Sequence, residues 1–205
     1  MKQHFKSPRY INLFFYTAIL LIAFLLKTFF SRATPDDLNF ILYPTTSAVN
    51  AITGNSFEFI SGTGYVMEGT LVVINKTCSG GNFFIIAFSM AAFMGVAAFS
   101  HFRDKAILLV GSLLSSFILT VTVNGFRISL AIFLLNRFPS SNLISSGLSH
   151  QLQGVLFYFS FLLGYYLSVK WLLERLSGHN LEKNLLYSIL PPFVLSKHPS
   201  IGTER

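Results

Sequence analysis

Of the 205 residues, 52% are hydrophobic and only 11% charged, against roughly 25% charged in an average soluble domain, which excludes an ordinary soluble globular protein. The 23 Phe and 8 Tyr, beside 14 Gly and 7 Pro, exclude a collagen-like or disordered chain. The net charge of +7 comes from 15 Lys and Arg scattered in small groups between apolar runs, a membrane-topology pattern that lines no nucleic-acid face.

A basic tail (residues 1–9, with Lys2, Lys6 and Arg9) precedes the first apolar run, Tyr10 to Phe30. About 20 apolar helical residues cross a bilayer core of about 30 Å, so this run is a predicted span. Ser31-Arg32-Ala33 has small residues at a signal-peptidase spacing, but the 17 apolar residues from Tyr10 to Leu26 exceed the usual 7–15 and Phe29 and Phe30 crowd the site. The run therefore reads as an anchor.

Residues 31–77 are too long for a mere connector and are expected to form a small cap. Thr34-Pro35-Asp36-Asp37 is a helix start, with a capping hydroxyl, an early Pro and carboxylates at the positive helix end. Leu38 to Ile52 reads as a helix interrupted or re-entered at Pro44 and stopped at Gly54. Phe57 and Phe59 alternate with polar residues, Ser61 to Gly64 turn, and Tyr65–Met67 and Leu71–Ile74 read as short strands around Glu68-Gly69.

A second span is expected over Gly81–Ser100 and a third over Ala106–Val123. The third apolar run continues through Asn124-Gly125-Phe126-Arg127 to Leu135, about 30 residues or about 45 Å as a helix. Such a helix must tilt, protrude, or break near Asn124-Gly125. The fourth span is Gln151–Leu173, followed by a polar tail (174–205) broken by Pro191-Pro192. The expected fold is an all-α multi-pass membrane protein of about four transmembrane helices with a small external α+β cap.

Lys and Arg concentrate in the N-terminal tail, at Arg103 and Lys105, and beyond Lys170, whereas Ser31–Thr77 and Asn136–Ser149 carry only Arg32, Lys76 and Arg137. Positive-inside bias then places both termini in the cytoplasm and residues 31–77 and 136–149 outside. In that topology Cys78, Arg127 and His150 all reach the outer leaflet from different spans. His4, His101, His179 and His198 fall on the other side.

Each residue has a plain structural role open to it. Cys78 can be a small apolar residue at a helix end, Arg127 can snorkel, and His150 can be an interfacial polar group. Together they also make a reactive set. A thiolate is favoured by a helix N-terminus and a nearby cation, and Ser79-Gly80-Gly81 leads from Cys78 into the second span. Gly80 and Gly81 can pack closely or offer backbone N–H groups to an oxyanion. An Arg within an apolar helix costs about 2.5–3.5 kcal/mol unless it finds a partner, water or the interface. As a fixed cation it could lower a thiol pKa or hold an oxyanion, and Asn124, one turn earlier, could orient it. His titrates near pH 6.5, which suits a proton-transfer residue. The single Cys excludes a disulfide scaffold, a CxxC redox site and a multi-cysteine zinc site, and nothing in the sequence calls for a metal or cofactor.

Cys78-Ser79-Gly80, Asn124 to Ile128 and His150 to Gly154, in that order and at the outer ends of three spans, resemble the exosortase and archaeosortase family, most nearly its exosortase K branch. The resemblance covers roughly residues 35–173, within a transmembrane domain of 10–173. It implies a thiol transpeptidase or protease of the bacterial inner membrane, acting on membrane-anchored substrate proteins with a C-terminal sorting signal: a short motif, a transmembrane helix and a basic tail. It makes Cys78 the nucleophile, His150 the proton-transfer residue and Arg127 the electrostatic stabiliser. Larger relatives have about eight spans and often an extra periplasmic domain, both lacking in this sequence. The competing reading is a non-enzymatic transporter or channel subunit with Arg127 as an anion site. A scaffold for other envelope proteins explains the spans but not the three outer residues.

Overall fold

In the computed structural model, which describes residues 9–69, 72–137 and 147–177, the chain runs through α1 (Arg9–Arg32), α2 (Asn39–Thr53), β1 (Phe57–Ile60), β2 (Gly64–Met67) and β3 (Val73–Ile74). A 3-10 turn (Lys76–Cys78) then leads into α3 (Gly81–Ala98), α4 (Phe102–Arg137) and α5 (Gly147–Ser177). Among the described residues, α1, α3, α4 and α5 contain four stretches long and apolar enough to cross a membrane. The chain is a multi-pass membrane protein with a small three-stranded sheet, as its composition requires.

The four spans are not equivalent. Of the most apolar window of each, 56% is buried in the α3 span but 17% in α1, 22% in α4 and none in α5. The central helix is α3, packed on α1, α4 and α5. Lipid tails are as apolar as Leu, so close packing has to hold such helices together, and small residues permit it. Ala87, Ala91, Ala92 and Gly95 of α3 are all buried. A Cβ on Gly95 would stand 3.3 Å from Cβ of Leu108 on α4. Phe15 and Ile19 of α1 pack on Phe88, Ala92 and Val96, while Met94 meets Leu173 of α5.

Two polar ties cross this packing. Lys105, in the first turn of α4, is buried and donates to Asn12 Oδ1 of α1. Its charge, which the sequence presents as a topology signal, also joins two helices. Ser115 of α4 and the Tyr165 hydroxyl of α5 lie 2.7 Å apart.

The long third span is one unbroken helix. Its 36 residues measure about 54 Å at 1.5 Å per residue, well beyond a core of about 30 Å. Gly125, which in sequence resembles a break, marks a close crossing: a Cβ there would lie 3.1 Å from the Ala48 Cβ of α2. Beyond it Ile128 and Ile132 bury against Leu38, Ile41, Leu42 and Val49. The excess length of α4 is the post against which the cap packs.

Thr34 to Asp37, expected to start the helix, form instead a capped turn ahead of it, and α2 begins at Asn39 behind Leu38, which makes no side-chain capping bond. Asp37 Oδ2 accepts from Thr34 N at 2.9 Å and Thr34 Oγ1 at 2.7 Å, while Thr34 Oγ1 accepts from Asp37 N at 3.3 Å, a reciprocal capping box. A turn over Pro35–Leu38 precedes α2. Contrary to the expected interruption, α2 passes through Pro44 and sacrifices only the bond that a residue with an N–H would make to Phe40. It stops at Gly54, whose left-handed backbone (φ 71°) lets its N–H reach Asn50 O at 2.9 Å.

The sheet is an antiparallel meander in the order β1-β2-β3, pairing Phe57 with Met67, Ile60 with Gly64, and Tyr65 with Ile74. Asp36 holds the β1-β2 turn, accepting from Ser61 Oγ and Gly62 N at 2.8 Å each. The Tyr65 hydroxyl donates to Asn39 Oδ1 at 2.7 Å. Held on α2 in this way, the sheet delivers the chain from β3 to Cys78.

Candidate active site

Local sequence shapes the approach to Cys78. Asn75 Oδ1 accepts from Thr77 N (3.0 Å) and Thr77 Oγ1 (2.8 Å), folding Asn75-Lys76-Thr77 back on itself. Cys78 N then donates to Asn75 O at 2.8 Å and Ser79 N to Lys76 O at 3.1 Å. Gly80 turns the chain into α3 with φ 67°, in the left-handed region that glycine enters without penalty. Cys78 thus precedes the first residue of α3 by three positions. Its half-buried side chain packs against the core beneath the cap, with Thr77 Oγ1 at 3.9 Å from Sγ.

Gly80 and Gly81 have separate reasons to lack a side chain. A Cβ on Gly80 would lie 2.2 Å from Asn124 Nδ2, and one on Gly81 would lie 2.6 Å from the Phe30 ring of α1. The turn after Cys78 is therefore pressed between α1 and α4.

Asn124 is fully buried in α4. Its Oδ1 accepts from the Tyr158 hydroxyl of α5 at 2.8 Å, and its Nδ2, facing Gly80, has no hydrogen-bond partner among the described residues. Tyr158 is the hub. Its ring stacks on Phe83 of α3 at 5.0 Å between centroids and carries the Arg127 guanidinium at 5.1 Å on its face, a cation–π contact. Arg127 also reaches α5 at Gly154, where a Cβ would be 3.6 Å from Nη1. Asn124 therefore acts on Arg127 through Tyr158, holding the ring on which the guanidinium rests.

His150 falls in the first turn of α5, four positions before Gly154 and eight before Tyr158. Its side chain lies outside the described residues. Sequence reasoning picked out His150 and Gly154 but missed Tyr158, although the step of four that links the first two leads to it on the same helical face.

Beside these residues opens a cleft of about 540 Å³ between α1, the start of α3, α4 and α5. Thr77, Ser79, Gly80 and Gly81 line it, whereas Cys78 between them does not. Lys27, Lys76 and Arg127 bring three cations to its wall, and none of its described lining residues is acidic. Lys27 Nζ donates to Asn82 Oδ1 at 2.7 Å, and Lys76 Nζ to Ser31 O at 2.8 Å. Among the described residues no three His, Cys, Asp or Glu side chains gather where they could hold a metal ion. Such a wall suits an anion or a developing negative charge, with a thiol one residue away. No family model, curated protein or solved structure matches the chain.

Proposed function

We propose that this protein is a membrane-embedded cysteine transpeptidase or protease of the exosortase type, cutting substrates with a C-terminal sorting signal at the outer face of the bacterial inner membrane. The observation that carries the reading is the meeting of the three motif segments: Gly80 lies against Asn124, and Arg127 rests on Tyr158 beside Gly154. Residues far apart in sequence thus meet near the turn that follows Cys78, the one thiol of the chain.

In the proposed reaction His150 takes the thiol proton and Cys78 Sγ, turned towards the cleft, attacks the carbonyl of the scissile peptide. The carbonyl oxygen becomes an oxyanion facing Arg127 and the backbone N–H groups of the Gly80-Gly81 turn. Collapse breaks the C–N bond, His150 returns the proton to the departing amine, and a thioester remains on Cys78. Water or an amine acceptor then attacks the thioester and restores the thiol. The departing segment stays anchored by its own transmembrane helix.

The test is co-expression with candidate substrates that end in a transmembrane helix and a basic tail, read by the mass of their new C-termini. Cleavage ahead of the helix is expected with the wild-type chain and is expected to vanish in Cys78→Ala and Cys78→Ser at unchanged protein abundance. Arg127→Lys should lose most activity, because a point charge does not reproduce a planar fork. Processing that persists in Cys78→Ala would overturn the proposal.

A further inference from the structure

We propose that the cationic cleft is a binding site for the phosphate of an anionic membrane phospholipid, whose acyl chain lies along Ile86, Phe159 and Leu162. The three cations come from separate elements, Lys27 from α1, Lys76 from the 3-10 turn and Arg127 from α4, and no carboxylate stands among the described lining residues to neutralise them. A Lys near the end of a span ordinarily snorkels outwards into water and headgroups. These two are instead tied to the protein, Lys27 to Asn82 and Lys76 to the Ser31 carbonyl, while Arg127 is held on Tyr158. Each contact leaves charge and N–H donors facing the cleft, since an ammonium has three donors and a guanidinium five.

Below the cations the wall becomes apolar. Ile86 of α3 is 53% and Phe159 of α5 64% exposed. A ligand that fits has a compact anionic head and a hydrocarbon tail leaving sideways, and the bilayer supplies such molecules at high local concentration. The volume of about 540 Å³ lies within the usual range for a small-molecule pocket, about 300–1,000 Å³. Three positive charges with no carboxylate beside them among the described residues favour a lipid with net negative charge over a zwitterionic lipid. Basic pockets between transmembrane helices bind anionic headgroups on the same electrostatic grounds. The inference does not rest on Cys78 being a nucleophile, and where it is one, lipid and peptide substrate compete for the cleft at Arg127.

The experiment uses the full chain purified in neutral detergent and follows thermal unfolding during titration with short-chain phosphatidylglycerol, short-chain phosphatidylcholine and inorganic phosphate. Phosphatidylglycerol is expected to raise the unfolding temperature saturably, with phosphatidylcholine and phosphate far weaker. Its apparent affinity is expected to fall about fivefold for each Lys neutralised in Lys27→Gln and Lys76→Gln and to be kept in Lys27→Arg and Lys76→Arg. Equal stabilisation by phosphatidylcholine, or unchanged affinity in both Gln variants, would identify general detergent-like coating and overturn the site. Stabilisation by inorganic phosphate as strong as by phosphatidylglycerol would make it a free-anion site and overturn the lipid. Should the Gln variants fail to fold, the three ligands compared on the wild-type chain still decide the question.

Discussion

Replacing Gly80 with Ala should loosen the whole Cys78 end of the bundle. Its backbone sits at φ 67°, where an L-residue costs about 1–2 kcal/mol. The new Cβ would stand 2.2 Å from Asn124 Nδ2 and 3.0 Å from both Asn124 Cγ and Thr120 Cγ2. Asn124 cannot swing away freely, being fully buried and bonded through Oδ1 to Tyr158. Overpacking of this kind costs about 1–3 kcal/mol, for a total of about 2–5 kcal/mol. At roughly 2–4 °C per kcal/mol for a chain of this size, a mid-range loss of about 3 kcal/mol lowers the unfolding temperature by about 6–12 °C. The assay is thermal unfolding in detergent with a maleimide dye, which reports exposure of Cys78, the only thiol present. Gly62→Ala is the control: its φ is 75° with nothing within 4 Å, so it should show the backbone cost alone. In an Asn124→Ala background the Gly80→Ala cost should shrink by about 1 kcal/mol or more, as expected for residues in contact. Strict additivity of the two changes, or a Gly80→Ala protein no less stable than Gly62→Ala, would refute this account of the turn.

Gly125→Leu should cost about 3 kcal/mol or more by driving α2 off α4, and Gly125→Ala about 1 kcal/mol, because the methyl of Ala48 is only 3.1 Å from the new Cβ; the same unfolding assay orders them. Tyr158→Phe keeps the stacking on Phe83 and the face offered to Arg127 but leaves Asn124 Oδ1 buried without its donor, so stability should fall by about 1–3 kcal/mol. Processing in the same variant should fall further than in a destabilised variant away from the site, such as Gly95→Ala, whose new Cβ would stand 3.3 Å from Leu108. Asp36 is held below its ordinary value near 3.8, first by the Ser61 hydroxyl and then by the Gly62 N–H. A depressed carboxylate stabilises the fold fully above its ordinary value, and the contribution is lost as pH falls through the lower folded value. Protection of the Gly62 amide, its exchange relative to that of an unstructured amide at the same pH, should therefore fall below about pH 4, and Asp36→Asn should show the low protection at every pH.

The spans were legible in the sequence because bilayer thickness sets their length and an uninterrupted apolar run is a local property of the chain. Runs expected over Tyr10–Phe30, Gly81–Ser100, Ala106–Leu135 and Gln151–Leu173 reappear as α1, α3, α4 and α5. The cap was legible for a similar reason: Thr34 and Asp37 cap each other, and Gly54 ends α2, through contacts only a few residues apart. The side of each residue was not. The sequence left a tilt, a protrusion or a break open near Asn124-Gly125, because a glycine in a long helix can equally mark a hinge or a crossing, and only Ala48, far away in sequence, makes it a crossing. Lys105 read as a topology signal alone until α1 brought Asn12 to it. Tyr158 was one aromatic among many in a span whose faces look alike, and became a hub once α3 and α4 met it with Phe83, Asn124 and Arg127. The three-cation cleft likewise depended on the rotation of three elements about their own axes. Hydropathy fixes how far a helix runs through the membrane, but in a membrane its rotation and its neighbours are decided by close packing between distant segments.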